Sequence, residues 1–408
     1  MKILKNDYAF AEGRENILLL FVVLTFFSFW IACMQDSTLY SSKASLIGMV
    51  LSYMTLFIFP FVAMRKSLVE YKHIPICIIP FIYWAFTTFH IYQNSYPLNI
   101  TTNIICCYFL LLKSKYQASL YAMMKKLLLL LSICGIISYV LYLIGLSPIQ
   151  KIDYYSKTLG GYYYNYLVSV LYVKEGSARL CSLFNEPGYF GTVIAILLCI
   201  EKLQLKEKGN IVFAIAGILT FSLGFYFTIV LYYILKKMHS PSKFFLIILL
   251  AIIYLYVLPS VHTGISGIDE ILDRVQVSDG KLNGDNRSNE YLDYLLATTF
   301  LGDSYLWGMG RGYCETMGII SVSSYKTYLV EYGVLGVGLL YGYYIIKAFG
   351  YAKGNRNAIL LVLIFFINVY QRPNVFNLLY LELLFGGISY IKMQAQIRGS
   401  KVKQCNPV

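Results

Sequence analysis

The 408-residue chain is 58% hydrophobic and only 13% charged, with a formal net charge of +13. A soluble globular chain holds roughly 45–50% apolar and about 25% charged residues. The imbalance excludes disorder, a secreted disulfide scaffold and an ordinary cytosolic enzyme, because too few charges remain to coat a water-soluble body of this size.

The apolar residues come in long runs, so the expected fold class is all-α: a polytopic bundle in a lipid bilayer. The positive charge does not point to nucleic acid. Lys and Arg punctuate the gaps between apolar runs, as the positive-inside rule predicts for cytoplasmic loops. A spanning helix needs about 20 mostly apolar residues, with a lower limit near ~17. In chain order the candidate spans are Ile17–Met34, Ser45–Met64, Ile74–Tyr92, Leu98–Leu112, Leu127–Leu146, Gly188–Leu203, Ile211–Leu235, Phe244–Pro259, Tyr328–Phe349, Asn357–Tyr370 and Asn374–Met393. The first run is long enough to span and lacks a small-residue cleavage site, so no cleavable signal is expected.

Lys2, Lys5 and Arg14 precede the first span, and every second gap repeats the basic signature. These gaps hold Arg65, Lys66 and Lys72, then Lys113, Lys115, Lys125 and Lys126, then Lys202, Lys206 and Lys208. They are expected in the cytosol, with Ser147–Glu186 outside. One crossing by Ile211–Leu235 would then put Lys236, Lys237 and Lys243 outside. It would also leave Lys353, Arg356, Lys401 and Lys403 on the wrong sides. Two crossings, with a break near Thr220, Ser222 and Gly224, repair all of these together. Each half of about 12 residues reaches only about 18 Å, so the halves are short, tilted or re-entrant, with the irregular backbone shielded. The expectation is one integral membrane domain, 1–408, of about 12 crossings with both ends inside. A single straight span with a weakly obeyed charge rule is the alternative.

Two long outer loops result, 147–186 and 261–324. The first is rich in tyrosine (Tyr154, Tyr155, Tyr162, Tyr163, Tyr164 and Tyr166), which suits sugar stacking and equally an interfacial aromatic belt. The second holds nine of the chain's 21 acidic residues and four basic ones, Arg274, Lys281, Arg287 and Arg311. Within it, Asn286–Phe300 reads as an amphipathic helix. Tyr291, Leu292, Leu295 and Leu296 form its apolar face, with Arg287, Glu290, Asp293 and Tyr294 on or beside the other. Such a helix roofs a cavity at the membrane surface or simply packs on the bundle.

Five of the nine arginines, Arg179, Arg274, Arg287, Arg311 and Arg372, fall outside or at the outer rim. A guanidinium is a permanent planar fork matched to phosphate oxygens. For a diphosphate ligand Arg179, Arg287 and Arg311 are the best clamps; an exposed arginine is equally served by solvation or a surface ion pair. In the string Arg179-Leu-Cys-Ser-Leu-Phe-Asn-Glu186-Pro187-Gly188-Tyr-Phe-Gly191, Pro187 suits a first helical turn. Glu186 is then either a helix cap or a carboxylate at the membrane rim that takes a proton from a sugar hydroxyl. Gly308-Met-Gly310-Arg311-Gly312 has no preceding strand, so it reads as a turn that brings Arg311 toward a ligand rather than as a nucleotide loop. Of nine cysteines, only Cys181 and Cys314 fall in the long loops, and a disulfide between them is conceivable. No DxD pair occurs, and the four histidines, His73, His90, His239 and His262, form no ligand set. Neither a metal nor another cofactor is expected.

Four of these pieces, in this order, resemble the Wzy-type O-antigen and capsule polymerases, which share a superfamily with the O-antigen ligases. They are Arg179…Asn185-Glu186-Pro187-Gly188 entering a span, the Thr220-Phe-Ser222 kink, and Arg287 followed by a helix and Leu306-Trp307-Gly308-Met-Gly310-Arg311-Gly312-Tyr313. The last is Ser323-Ser324-Tyr325…Leu329-Val-Glu331-Tyr-Gly333-Val-Leu-Gly336. The resemblance covers roughly 179–336.

The resemblance implies a metal-independent, GT-C-like inverting glycosyltransferase of the bacterial inner membrane, acting on its outer face. Donor and acceptor are oligosaccharide repeat units on undecaprenyl diphosphate, with a flippase and a chain-length regulator as further partners. It implies catalytic roles for Glu186, Arg179 and Arg287 and diphosphate binding by Arg179, Arg287 and Arg311. Tyr163, Glu290, Tyr294, Tyr325 and Glu331 complete the expected substrate-binding set, with Glu290 and Glu331 as rival bases. The first alternative is an O-antigen ligase that transfers finished polymer to lipid A core, against which stands the histidine that ligases usually carry where Ser323 or Ser324 stands. A flippase or other transporter without covalent chemistry is the rival from a different class.

Overall fold

The computed structural model describes residues 21, 23–24, 42–65, 68–92, 100–155, 161–166, 169–174, 176–184, 186–237, 269, 272–273, 276–278, 281–282, 290–319, 324–370 and 372–405. Helix α1 (Ser42–Arg65) is followed by a 3-10 turn, Tyr71–His73, and by α2 (Ile74–Phe89), α3 (Ile100–Leu111) and α4 (Ser114–Leu143). Four strands come next: β1 (Gln150–Tyr155), β2 (Tyr162–Tyr166), β3 (Ser169–Lys174) and β4 (Ser177–Ser182). They lead into α5 (Pro187–Ile200), α6 (Lys208–Leu219) and α7 (Leu223–Lys237). A short strand pair, β5 (Val277–Ser278) and β6 (Lys281–Leu282), precedes α8 (Glu290–Leu301) and α9 (Tyr313–Thr316). Helix α10 (Tyr325–Val337) runs through a π-helical turn, Gly338–Gly342, into α11 (Tyr343–Ala352). Then come α12 (Arg356–Val369), α13 (Leu378–Leu381), a second π-helical turn at Glu382–Gly386, and α14 (Gly387–Cys405).

The described chain is mostly helical, and two helical runs are long and apolar enough to cross a membrane: α4 with 30 residues and Tyr325–Ala352 with 28. The other apolar helices are shorter, among them Ile100–Leu111, Pro187–Ile200, Gly209–Leu219 and Arg356–Val369. Against an expectation of about 12 crossings, some of them short, the described residues contain two helical runs of spanning length and several shorter apolar helices. The expected spans Phe244–Pro259 and, apart from residues 21 and 23–24, Ile17–Met34 lie outside the described residues.

The centre of the bundle is α5, whose residues from Phe190 to Ile200 are all buried. A helix apolar all round needs neighbours on every side. β4, α6, α7 and α12 supply them, joined by α14.

The connections sort to two ends. At one end the Lys125 ammonium pairs with Glu201 at 2.8 Å, Tyr121 donates to the same carboxylate at 3.0 Å, and Lys236 donates to the Lys202 carbonyl at 2.7 Å. Tyr351, at the end of α11, meets Ser114 at the start of α4 (2.9 Å) and accepts Lys392 on its carbonyl (2.5 Å). His73 lies there too, 1% exposed, with Nδ1 2.9 Å from the Leu112 carbonyl; burial holds its pKa below the ordinary imidazole value. This is the end at which the basic gaps gather.

The opposite end carries a small four-stranded sheet within 150–182, a departure from the all-α expectation in a chain that is otherwise mostly helical. The strands form an antiparallel meander in the order β1-β2-β3-β4. Its signals are local: aromatic and β-branched runs, Tyr162–Tyr166 and Ser169–Lys174, suit a pleated surface. Lys174 faces Ser177 across a two-residue turn containing Gly176 at φ 81°. That is hairpin chemistry. Helix α4 supports the sheet, with the Ser138 hydroxyl donating to the Tyr166 carbonyl at 2.9 Å and the Tyr142 hydroxyl to that of Gly176 at 3.0 Å.

The segment 211–235 breaks where its polar residues stand. Helix α6 ends at Leu219 and α7 begins at Leu223. α6 runs back along α5 until Thr220 and Ser222 meet Gly191, and α7 then returns toward Lys202. The chain therefore reverses at the break, and Lys236 and Lys237 come back to the basic end.

Candidate functional site

Strand β4 aims Arg179 at the break. Tyr172 faces Arg179 across the sheet, and the Arg179 side chain is buried, at 6% exposure. Its Nε donates to the Thr220 carbonyl at 3.0 Å and its Nη2 to the Phe221 carbonyl at 2.9 Å. These carbonyls follow the last turn of α6, where backbone acceptors lack intrahelical partners and a cation opposes the negative helix end. Phe221 sits at φ 45°, a left-handed conformation that bulky residues rarely adopt. Gly191 lets the break seat against α5: a Cβ there would lie 2.8 Å from Thr220 Oγ1 and from Ser222 Cβ.

Glu186 occupies the N-cap position of α5 with extended backbone, and Pro187 starts the helix. Its side chain makes no capping hydrogen bond. It forms an ion pair with Arg372 instead, Oε2 to Nη2. The Glu186 side chain is 27% exposed and that of Arg372 11%. The guanidinium lies 5.6 Å from the Tyr189 ring centroid, and Tyr189 stacks on Tyr380 at 5.8 Å. Gly188 leaves the space the guanidinium occupies, since a Cβ there would meet Nη2 at 2.7 Å. The arrangement offers a part-exposed carboxylate, charge-balanced and held at the sheet end by a second cation beyond Arg179.

The second group is the glycine turn. Gly308, Gly310 and Gly312 all have positive φ, and each amide from Gly308 to Tyr313 is engaged within the protein. Met309 and Gly310 donate to the Val330 and Glu331 carbonyls, each at 2.9 Å, and Arg311 to that of His90 at 2.9 Å. The Gly312 amide donates to Glu331 Oε1 at 2.9 Å. The turn is thus clamped to the kink in α10, where Gly333 stands at φ 63°, and its amides are not arranged as a phosphate nest. Glu331 is buried, 9% exposed, and serves this clamp; the Arg311 charge acts on it from nearby.

Other expected residues fall elsewhere. Helix α8 packs Leu292 and Leu295 against Val330 and Cys314, and its Asp293 pairs with Lys326. Tyr291 and Tyr294 stack on each other at 6.3 Å, 45% and 61% exposed, so Tyr291 belongs to the outer face rather than the apolar one. Glu290 is exposed beside them. Tyr163 is buried in the sheet at 6% exposure, 5.9 Å from the Tyr172 ring, and offers no free aromatic face for a sugar. Tyr325 stacks on Tyr370 at 4.8 Å. Ser324 accepts from the Lys326 amide and caps α10, while Ser323, Arg274 and Arg287 lie outside the described residues.

Cys181 and Cys314 are free thiols in separate buried clusters, so the conceivable disulfide is absent. Burial raises the pKa of both, that of Cys314 to about 12, which leaves neither a ready nucleophile.

Arg372 is one of the outer arginines to which the sequence attaches no role; the ion pair spans 186 residues, and no local pattern announces it. Glu382, outside the expected site residues, is a carboxylate only 1% exposed on the second π-helical turn. An acidic residue inside an apolar run was the available signal. The chain matches no protein-family model, and no curated protein or solved structure matches it at a significant level.

Proposed function

We propose that the protein is an integral membrane polymerase that joins undecaprenyl-diphosphate-linked oligosaccharide repeats into a surface polysaccharide, O-antigen or capsule. In this reading the chain crosses the bacterial inner membrane about 12 times, with the basic end in the cytosol and the sheet end outside. The observation that carries it is the convergence of Arg179–Gly191 with the Thr220–Ser222 break around one part-exposed carboxylate, Glu186, opposite the basic end.

Glu186 takes the proton of an acceptor sugar hydroxyl. The freed oxygen attacks the anomeric carbon of the donor glycan, the bond to the diphosphate breaks, and its electron pair leaves with the lipid diphosphate. The carbon inverts. Guanidinium groups oppose the charge that builds on the leaving group, and Arg311 and Arg287 are the proposed ligands. Arg179, with two N–H groups on the break, acts as a positioning residue for Glu186. Tyr294, Glu290 and Tyr325 line the sugar side, with the flippase and chain-length regulator as partners. The test is in cells: replacing the gene copy with Glu186→Gln at normal protein level leaves single-repeat glycan where the wild type makes a ladder. A normal ladder contradicts the role of Glu186.

A transporter reading has one observation in its favour, the buried Glu382 on a π-helical turn, because acids inside a bilayer mark ion and substrate paths. It predicts lipid-linked glycan trapped on the cytosolic leaflet when the protein is lost, whereas loss of a polymerase leaves single repeats on the outer leaflet.

A further inference from the structure

We propose that Arg372 is a diphosphate ligand that exchanges Glu186 for the leaving group, so that substrate arrival releases the base. The inference rests on the polymerase reading above and assigns that site a cation and an order of events.

The guanidinium is built in place. Its backbone amide donates to the Asn368 carbonyl at 2.9 Å, and the carbonyl of the next residue, Pro373, accepts from the Tyr341 hydroxyl at 2.6 Å. Tyr189 lies under the guanidinium, and the missing side chain of Gly188 opens the space for it. Among the described residues its ion-pair partner is the Glu186 carboxylate, the more exposed of the two at 27% against 11%. An anion approaching the pair from solvent therefore meets Glu186 first and competes with it for a guanidinium already oriented.

The competition has a definite outcome. A diphosphate carries more charge than a carboxylate and fits the guanidinium fork with two oxygens. While Glu186 is paired, the adjacent positive charge stabilises its ionised form and makes it a poor base. Once Arg372 turns to the diphosphate, Glu186 loses that stabilisation at the moment an acceptor hydroxyl needs a base. The same guanidinium then opposes the negative charge growing on the leaving diphosphate. No bond is made or broken in the exchange itself; the ion pair Glu186–Arg372 is replaced by Arg372–diphosphate.

A purely structural ion pair predicts something different, and purified protein in detergent separates the two. The probe is undecaprenyl diphosphate, with undecaprenyl monophosphate for comparison, read by thermal shift and by competition against chain elongation. Glu186→Gln removes the competing charge, so it binds undecaprenyl diphosphate roughly 3- to 10-fold more tightly than wild type while losing elongation. Arg372→Ala loses the diphosphate-dependent shift, and Arg372→Lys retains only part of it. The charge exchange Glu186→Arg with Arg372→Glu restores folding but not elongation. Unchanged or weaker binding by Glu186→Gln overturns the proposal, as does wild-type elongation by Arg372→Ala or by the exchanged pair. If Arg372→Ala does not fold, the Glu186→Gln binding result decides alone. Wild-type protein that elongates nothing and ignores undecaprenyl diphosphate overturns the polymerase reading and this proposal together. Wild-type elongation with a null Arg372 result overturns the proposal only.

Discussion

The Arg179 guanidinium donates to the carbonyl of Phe221, a residue held at φ 45°, and so ties a strand of the sheet to the point where the chain reverses between α6 and α7. Removing the side chain leaves one buried and one part-buried carbonyl without their cation. Arg179→Ala is expected to cost about 2–4 kcal/mol, and Arg179→Lys less because one charged donor remains. Thermal unfolding in detergent measures this. An unchanged melting temperature for Arg179→Ala would remove the capping role.

The turn at 306–312 and the kink in α10 are pressed backbone to backbone. A Cβ at Gly333 would lie 2.3 Å from the Leu306 carbonyl oxygen, and one at Gly308 would lie 2.5 Å from the Gly333 nitrogen. Both residues also have positive φ. Gly333→Ala and Gly308→Ala are each expected to destabilise by at least ~1–3 kcal/mol. Gly338→Ala, with nothing within 4 Å of the added carbon, stays within about 0.5 kcal/mol of wild type. Equal melting temperatures for Gly333→Ala and Gly338→Ala contradict the clamp.

His73 gives a pH dependence. Its folded pKa lies below the ordinary value of 6.5, because burial opposes the charged form more than the Leu112 carbonyl and Glu70 favour it. The unfolded chain therefore binds the proton more readily. The stability is complete above the unfolded value and is lost as pH falls through 6.5 toward the folded pKa. His73→Asn keeps a donor for the Leu112 carbonyl without titrating. Between roughly pH 7 and pH 5 the wild type is expected to lose stability relative to this variant. Parallel pH profiles of melting temperature would contradict it.

How much of this was legible in the sequence depends on the range of the interaction. Thr220, Ser222 and Gly224 marked the break, because polar residues and glycine interrupt an apolar run, and the chain does reverse there. The basic gaps gathered at one end for the same compositional reason. The sheet is legible as well, in the aromatic and β-branched runs and the two-residue turn ending in Gly176, but tyrosines in a chain this apolar read equally as an interfacial belt. Tyr163, expected in the substrate-binding set, is buried in that sheet. The Glu186–Arg372 pair and the closure of the glycine turn on Glu331 were not legible, because each joins residues far apart through packing that no local period encodes. Arg179 was selected for its charge, and the structure gives that charge a backbone target.

The reversal at the break has a sidedness consequence. In a background without other reactive thiols, Lys208→Cys and Lys237→Cys are expected to label with a membrane-impermeant probe only after permeabilisation. Gly176→Cys, at the tip of the β3–β4 turn, is expected to label in intact cells. Labelling of position 237 from outside, with 208 protected, would mean a single straight span.

The most direct test of the polymerase reading is reconstitution. Purified protein supplied with undecaprenyl-diphosphate-linked repeat units, a chelator and no nucleotide sugar is expected to yield glycans longer by whole repeats and to release undecaprenyl diphosphate. Folded wild-type protein that leaves every glycan at one repeat would contradict it.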